Sequence, residues 1–351
     1  MQENFEAWQK QLCLFWSNVQ CGSLIDSNRA ITLPATISVP DACQVLATNN
    51  ILSALVESHA PPTVKYCGLF SLHSLLEYVV SNISEISESK TLAWSAFQRL
   101  CLKFKDVGEF CSSRTPSYVR VDSDENVITM LRFFANGTHR CSVLDKHTSM
   151  VLGTLSQSRV LNYVYEHRSE EPFESILKHE ISELPSNDHI ARGGSVLSIF
   201  EDAILLDAVK VMLKHDVSSV AVLDEDGLLC GSLSLSDFKY LFRIRRIDLF
   251  WCPIHEFIRF IRGFQSLSER HAKDSFPYFA TRSNKTIGSV IERMVATKVH
   301  HLWIIDDARH AVGVVSITDI LRVLAPLEDA FRISTQASPR PSRLDRADGS
   351  D

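Results

Sequence analysis

Residues 217–237 read VSSVAVLDEDGLLCGSLSLSD. Val217–Leu223 is an apolar run of strand length, and Asp224–Gly227 puts a glycine where a tight turn needs positive φ. Leu228–Leu233 is a second such run, and Ser236–Arg243 opens a helical period. Upstream, Val196–Ile199 is of strand type, and Leu205–Lys214 carries apolar residues at 205, 206, 209 and 213, on one helical face. The stretch predicts a β-α-β-β-α unit that closes on Gly231-Ser-Leu-Ser-Leu-Ser-Asp237.

That closing pattern occurs three more times, as Gly68-Leu-Phe-Ser-Leu-His-Ser74, Gly153-Thr-Leu-Ser-Gln-Ser-Arg159 and Gly313-Val-Val-Ser-Ile-Thr-Asp319. The spacing is about 80 residues each time, which means one structural unit copied along the chain. The units fall at 30–82 (the most degenerate), 113–167, 193–245 and 273–327. Each is small for an independent core, so the units are expected to pair and bury their sheets. Around them lie an amphipathic helix at 1–22 (Phe5, Trp8, Leu12, Phe15, Trp16), a helical insert at 83–112 and an acidic linker at 168–192. A helical connector spans 246–272, and the polar tail 334–351 is expected to be disordered. The N-terminal stripe packs on its own protein or docks on a partner; Ser338-Pro339 in the tail is a candidate phosphorylation site.

Bulk composition narrows the function. With 36 basic and 42 acidic residues in 351, the net charge is −6, which supplies no basic field for nucleic acid or anionic membrane. Nine cysteines are scattered without zinc spacing, as suits core residues in a reducing compartment. No run approaches the roughly 20 apolar residues of a membrane span. The expected location is cytoplasmic, with the nucleus also allowed. No nucleophile elbow, phosphate loop, metal-ligand spacing or kinase signature is present, so the chain is read as a non-enzyme with no required cofactor and no metal.

The repeats resemble cystathionine-β-synthase (CBS) domains, on the β-α-β-β-α order and the G-x-[LV]-[ST]-x-x-D pattern. Four copies resemble the γ subunits of AMP-activated and SNF1-type kinases, with Thr138-His-Arg-Cys-Ser-Val-Leu-Asp145 similar to their second repeat and Val299-His-His-Leu-Trp-Ile-Ile-Asp306 to their fourth. Lys273-Asp-Ser-Phe-Pro-Tyr-Phe279 and Val295-Ala-Thr-Lys-Val-His-His-Leu-Trp303 look more like the fungal four-CBS proteins of cell separation and stress response, a family associated with restraining type 2A-like phosphatases. The resemblance implies an α+β fold of four CBS repeats in two tandem-pair (Bateman) modules forming a pseudo-fourfold disc. It implies a regulatory protein that responds to AMP, ADP or ATP. The expected partner is a phosphatase catalytic subunit or, alternatively, SNF1/AMPK-type kinase subunits. A nucleotide-independent scaffold is the third reading.

The resemblance also implies site residues. Asp237 and Asp319 would accept hydrogen bonds from ribose hydroxyls, and His139, Arg140, His300 and His301 would meet phosphate. Ser234, Ser316 and Thr318 would do so at helix N-termini, where unpaired N–H groups and the dipole favour an anion. Ser-x-x-Asp is equally a capping box, in which the serine and acid only close a helix start. Ser74 lacks the acid, Arg159 replaces it, and Ser158 and His301 stand where γ subunits carry cations. A nucleotide is therefore expected in the C-terminal pair, with reduced affinity for polyphosphates, and Arg159 is expected in an ion pair.

Overall fold

The computed structural model describes residues 2–25, 31–58, 66–84, 94–113, 119–148, 150–183, 196–268 and 278–326. Residues 273–277 and the tail with Ser338-Pro339 lie outside these. In repeat one, β1 (Thr32–Pro34), α2 (Val39–Thr48), β2 (Ser53–Glu57), β3 (Tyr66–Ser71) and α3 (Leu72–Ser81) follow α1 (Gln2–Trp16). Two spacer helices, α4 (Trp94–Cys101) and α5 (Val107–Ser112), come next. Repeat two holds β4 (Val119–Asp122), α6 (Val127–Ala135), β5 (Arg140–Leu144), β6 (Val151–Ser156) and α7 (Gln157–Glu166), and the short α8 (Phe173–Ile176) follows. Repeat three holds β7 (Ser198–Phe200), α9 (Leu205–Lys214), β8 (Ser219–Leu223), β9 (Leu229–Ser234) and α10 (Lys239–Ile244), then α11 (Ile254–Ser268). Repeat four holds β10 (Ala280–Thr281), α12 (Ile287–Thr297), β11 (His301–Ile305), β12 (Ala311–Ser316) and α13 (Ile317–Leu324).

All four sheets have the same three-stranded order, the first pair parallel and the second antiparallel. The backbone repeats more faithfully than the side chains. After each repeat's first helix one residue takes positive φ: Asn50, Gly137, Asp216 and Lys298. The next N–H closes the helix by reaching back five residues, Ile51 to Leu46, Thr138 to Phe133, Val217 to Met212 and Val299 to Met294. The degenerate repeat one thus keeps the whole unit.

The pattern glycine lies inside the third strand, as the run Leu228–Leu233 implies for Gly231. It pairs Val56–Gly68, Val143–Gly153, Val222–Gly231 and Ile304–Gly313, and in every repeat the register shifts at the next pair. A spacer helix explains the missing side chain in two repeats. A Cβ on Gly68 would stand 3.0 Å from Cys111 Cβ of α5, and one on Gly231 would stand 3.3 Å from Ile258 of α11.

Helix faces make the main cores. Repeats one and three share one core, with Leu46, Leu75 and Phe97 against Met212, Leu241 and Phe257. Repeats two and four share the other, with Met130, Phe134 and Leu161 against Ile291, Met294 and Leu321. Sheets form a smaller third core between repeats three and four, around Ala221, Leu229 and Trp303. The expectation that units bury their sheets holds for that seam, but most of the apolar side chains are on the helix seams.

Spacers complete both helix cores. Segment 166–183, expected as a dividing linker, places Phe173, Ile176 and Ile181 at 0% exposure and joins repeat four through Ile181 N–H to Lys285 O and Ile287 N–H to His179 O. The same backbone exchange ties residues 19–22 to repeat two (Val127 to Val19, Gly22 to Ser123), α5 to repeat one (Val107 to Ile37) and α11 to repeat three (Ile254 to Ala203). The described members of the N-terminal stripe, Trp8, Leu12, Phe15 and Trp16, pack on their own protein. Leu12 and Trp16 are at 0% exposure, Phe15 stands 4.7 Å from the Phe173 ring, and Trp16 Nε1 donates to Leu324 O at 2.9 Å, satisfying a carbonyl at the end of α13.

The third core corrects one expected site residue. His301 begins β11, but its ring lies at the sheet seam, with Nε2 3.3 Å from Ser232 Oγ of repeat three and an edge contact to Trp303 at 5.2 Å. Burial first, then His300, lowers its pKa to about 4. It is a neutral packing residue here, because burial against the facing sheet penalises the charged form.

Two outcomes follow from these cores. Trp16→Ala removes a buried indole between repeats two and four and is expected to cost about 3–5 kcal/mol, read by denaturant unfolding. His301 is neutral in the fold and titrates normally when unfolded, so its contribution is complete above the ordinary histidine pKa and is lost as pH falls toward 4. His301→Gln is expected to flatten the fall in melting temperature between pH 7 and pH 4; an unchanged slope would exclude this residue as its source.

Candidate functional site

Each repeat's last helix starts from a capped serine at the end of its third strand. Ser71, Ser156 and Ser316 accept from the N–H three residues on, at 3.1, 3.2 and 3.3 Å, and Ser234 forms the corresponding box in repeat three. Across the sheet these serines pair with the first residue of the second strand: Ser53, Arg140, Ser219 and His301. The residue before that strand accepts from the N–H that follows the capping serine: Leu52, His139, Ser218 and His300. The fold thus brings the same two positions to every helix start. Only repeats two and four put basic or imidazole groups there, and these are the two repeats that share a helix core.

Repeats two and four are joined at this point by a short network. Gln157, 5% exposed at the first position of α7, donates from Nε2 to Phe134 O and to Thr318 Oγ1 of α13, both at 2.9 Å. Its Oε1 is 3.1 Å from His139 Nδ1. An amide oxygen only accepts, so Nδ1 carries the proton and Nε2 of His139 is left to face other groups. Thr318 is therefore occupied in joining the repeats, a structural role.

His300 is held below the ordinary imidazole range, first by burial and then by Arg140, His139 and Lys239. Those three charges come from repeats two and three, so the centre gathers basic groups from three repeats. Burial also lowers the Arg140 pKa, and the structure gives its guanidinium no carboxylate among the described residues. A desolvated arginine without an acid is an electrostatic imbalance that an anion relieves.

The two acids sit at helix starts and both close capping boxes. Ser234 N–H and Oγ–H donate to Asp237 Oδ2 at 2.8 and 2.9 Å. Ser316 N–H and Oγ–H donate to Asp319 Oδ2 at 2.9 and 2.6 Å. The second oxygens differ. Arg322 Nη1 donates to Asp319 Oδ1 at 3.1 Å, whereas Asp237 Oδ1 has no hydrogen bond among the described residues. Desolvation raises the Asp237 pKa against the pull of Ser234, Arg262 and Lys239. Capping is realised at both positions, and Asp237 keeps one oxygen for a further donor.

The N-terminal half departs further. Ser74, which has no acid to offer, meets the Ser71 hydroxyl through its own Oγ and N–H, at 2.9 and 3.1 Å. Arg159 donates from Nε to Leu24 O at 3.3 Å, which replaces the expected ion pair with a backbone contact to the N-terminal segment. Sequence reasoning missed Gln157, Lys239, Arg262 and Arg322. The first sits inside the pattern, at a variable position. The others lie beyond it, where no repeat spacing marks them.

Comparison with known proteins adds the following. The CBS domain model matches residues 190–243 and 275–326, repeats three and four. The chain is 28% identical over 341 residues to Protein SDS23 of Kluyveromyces lactis, an alignment covering 90% of this chain and 64% of that protein. It is 28% identical over 299 residues to Protein SDS24 of Saccharomyces cerevisiae (strain S288c), covering 83% and 55%. The chain thus spans somewhat over half the length of the curated relatives it matches. Among solved structures, a Methanocaldococcus jannaschii protein proposed as an archaeal homolog of γ-AMPK superposes with a TM-score of 0.62 at 12% identity, covering 88% of this chain and all of that one. At that identity the likeness concerns fold alone. The chain thus carries CBS domains at residues 190–243 and 275–326 and two further units with the same strand order, helix closure and capped serine, and it is similar in sequence to SDS23 and SDS24 and in fold to that archaeal protein.

Proposed function

We propose that the chain is a non-catalytic regulatory protein that binds an adenine nucleotide at the centre of the four repeats and acts on a protein phosphatase of type 2A. The observation that carries the nucleotide reading is the meeting of Arg140, His139 and His300 beside two serine–aspartate helix starts, with no carboxylate set against Arg140 among the described residues. In this reading the phosphate lies against Arg140 and the free edge of His139, and the ribose hydroxyls donate to Asp237 or Asp319. Asp237 suits the ribose better, because Arg322 already holds the outer oxygen of Asp319. The likeness to SDS23 and SDS24 agrees with the resemblance drawn from the sequence, and it is that resemblance which supplies the phosphatase partner. A ligand at a junction of repeats changes the surface offered to a partner only by its differential affinity for the two arrangements.

Titration calorimetry with AMP, ADP and ATP tests the nucleotide, with Asp237→Asn and Asp319→Asn as variants. Binding by the parent and a loss of about tenfold or more in Asp237→Asn is expected, about 1.4 kcal/mol. Because desolvation favours the protonated carboxyl, the stability this group lends is complete at acid pH and is lost as pH rises through its folded pKa. Asp237→Asn is therefore expected to leave the ligand-free melting temperature at pH 7 unchanged or raised. Asp319→Asn loses the Arg322 pair and is expected to lower it. No heat with any nucleotide would overturn the ligand and leave a nucleotide-independent scaffold. Affinity purification is expected to recover a phosphatase catalytic subunit; recovery of SNF1/AMPK-type kinase subunits in its place overturns the partner.

A further inference from the structure

We infer that Gln157 is a positioning residue of the central site: by fixing the tautomer of His139, it makes anion binding there take up a proton. The inference rests on the nucleotide reading above for the identity of the anion. Gln157 is buried at the start of α7, and its amide is held from two sides. Both amide hydrogens are spent, one on Phe134 O and one on Thr318 Oγ1 of repeat four, each at 2.9 Å. A backbone carbonyl only accepts, so the amide cannot turn over without setting oxygen against oxygen at Phe134. Oε1 is therefore the atom that meets His139 Nδ1, at 3.1 Å, and Nδ1 is the donor. The Gln157 N–H also donates to His139 O at 3.1 Å, so both backbone and ring of the histidine are tied to one residue.

A neutral imidazole with its proton on Nδ1 presents a bare lone pair at Nε2. An anion set against that lone pair is repelled, whereas the protonated nitrogen donates a charge-assisted hydrogen bond. His300 differs, since its ring has no hydrogen bond among the described residues and its neutral form can turn an N–H outward. The charged and titratable groups on the elements that meet here are few. Repeat two brings Arg140 beside the ring, Arg132 on α6, and Arg159 on α7, which donates to Leu24 O. Repeat four brings His300, with Asp319 and Arg322 bonded to each other, and repeat three brings Lys239 and Asp237, the latter bonded to Ser234. No carboxylate is hydrogen-bonded to His139 among the described residues. Arg140 opposes a second positive charge in the empty site, and the incoming anion supplies the counter-charge that the ring lacks. The proton comes from the buffer as the anion arrives.

Two readouts on the full chain test this. In ligand-free protein at pH 8, nitrogen–proton correlation spectra of the imidazoles are expected to show His139 as the Nδ1–H tautomer, with His139→Gln assigning the ring. Calorimetry with AMP and with sulfate, in two buffers of different ionisation enthalpy, counts the protons. Sulfate keeps a constant charge over this range and has no ribose to engage Asp237. The parent is expected to take up about one proton per sulfate at pH 8. Its affinity is expected to fall roughly tenfold per pH unit above the range where a free imidazole titrates. His139→Gln donates from a neutral amide and is expected to bind without proton uptake and with a flat pH profile. Gln157→Met lets the intact ring carry its proton on Nε2 and is expected to flatten the profile too; a role confined to joining the repeats would weaken binding equally at every pH. Melting of the ligand-free variants shows that they are folded, and if Gln157→Met is not, the tautomer and the His139→Gln profile decide. An Nε2–H tautomer in the parent, proton uptake that persists in His139→Gln, or AMP bound without uptake overturns the inference. If sulfate binds with proton uptake and no nucleotide binds, the inference stands and the nucleotide reading fails. If neither binds, both fall.

Discussion

Two seams of helix against helix hold this molecule together, and the position of every other part depends on them. Repeat one gives its helices to repeat three, and repeat two gives its helices to repeat four. A unit of about 50 residues buries too little apolar surface to stand alone. The spacers enlarge both seams: α1 and α8 enter one, while α4, α5 and α11 enter the other. Trp16 shows the scale of this sharing, since its indole reaches the last carbonyls of α13, 308 residues away. Sheet contact between repeats three and four is a smaller addition, built on Trp303 and closed by the neutral ring of His301.

The seams also decide where the chemistry lies. Once helices of repeats two and four pack face to face, the starts of α7 and α13 meet, and Gln157 and Thr318 join them. The residues paired across from those starts are carried to the same place, so Arg140, His139 and His300 become neighbours. The arrangement concentrates positive charge in a protein whose net charge is −6. That local charge is opposed in sign to the protein as a whole.

Capping takes one oxygen of each aspartate and leaves the second to other partners. The serine hydroxyl accepts from the N–H three residues on, which explains why serine stands at all four caps, and in repeats three and four Oδ2 of the aspartate completes the box. The second oxygen separates the two. Asp319 gives it to Arg322, whereas Asp237 keeps it clear of hydrogen bonds among the described residues. A desolvated acid with a spare acceptor gains more from a ligand hydroxyl than one already paired.

The strand order, the turn at Asp224–Gly227, the fourfold period and the two acids were legible in the sequence, because each is fixed within one unit by local backbone needs. Gly227 does take positive φ, and the degenerate first repeat still folds as the pattern predicts. The core role of segment 166–183 was not legible, since Phe173, Ile176 and Ile181 are too few and too irregular to show a period. Nor was the fate of His301, whose neighbours in sequence say nothing of Ser232. Which repeat packs on which, and hence which basic groups converge, was decided only in the tertiary structure. Local sequence dictates the unit because turns, caps and strand pairing act over a few residues; the site is made where units meet, and that depends on apolar faces whose partners lie more than a hundred residues away.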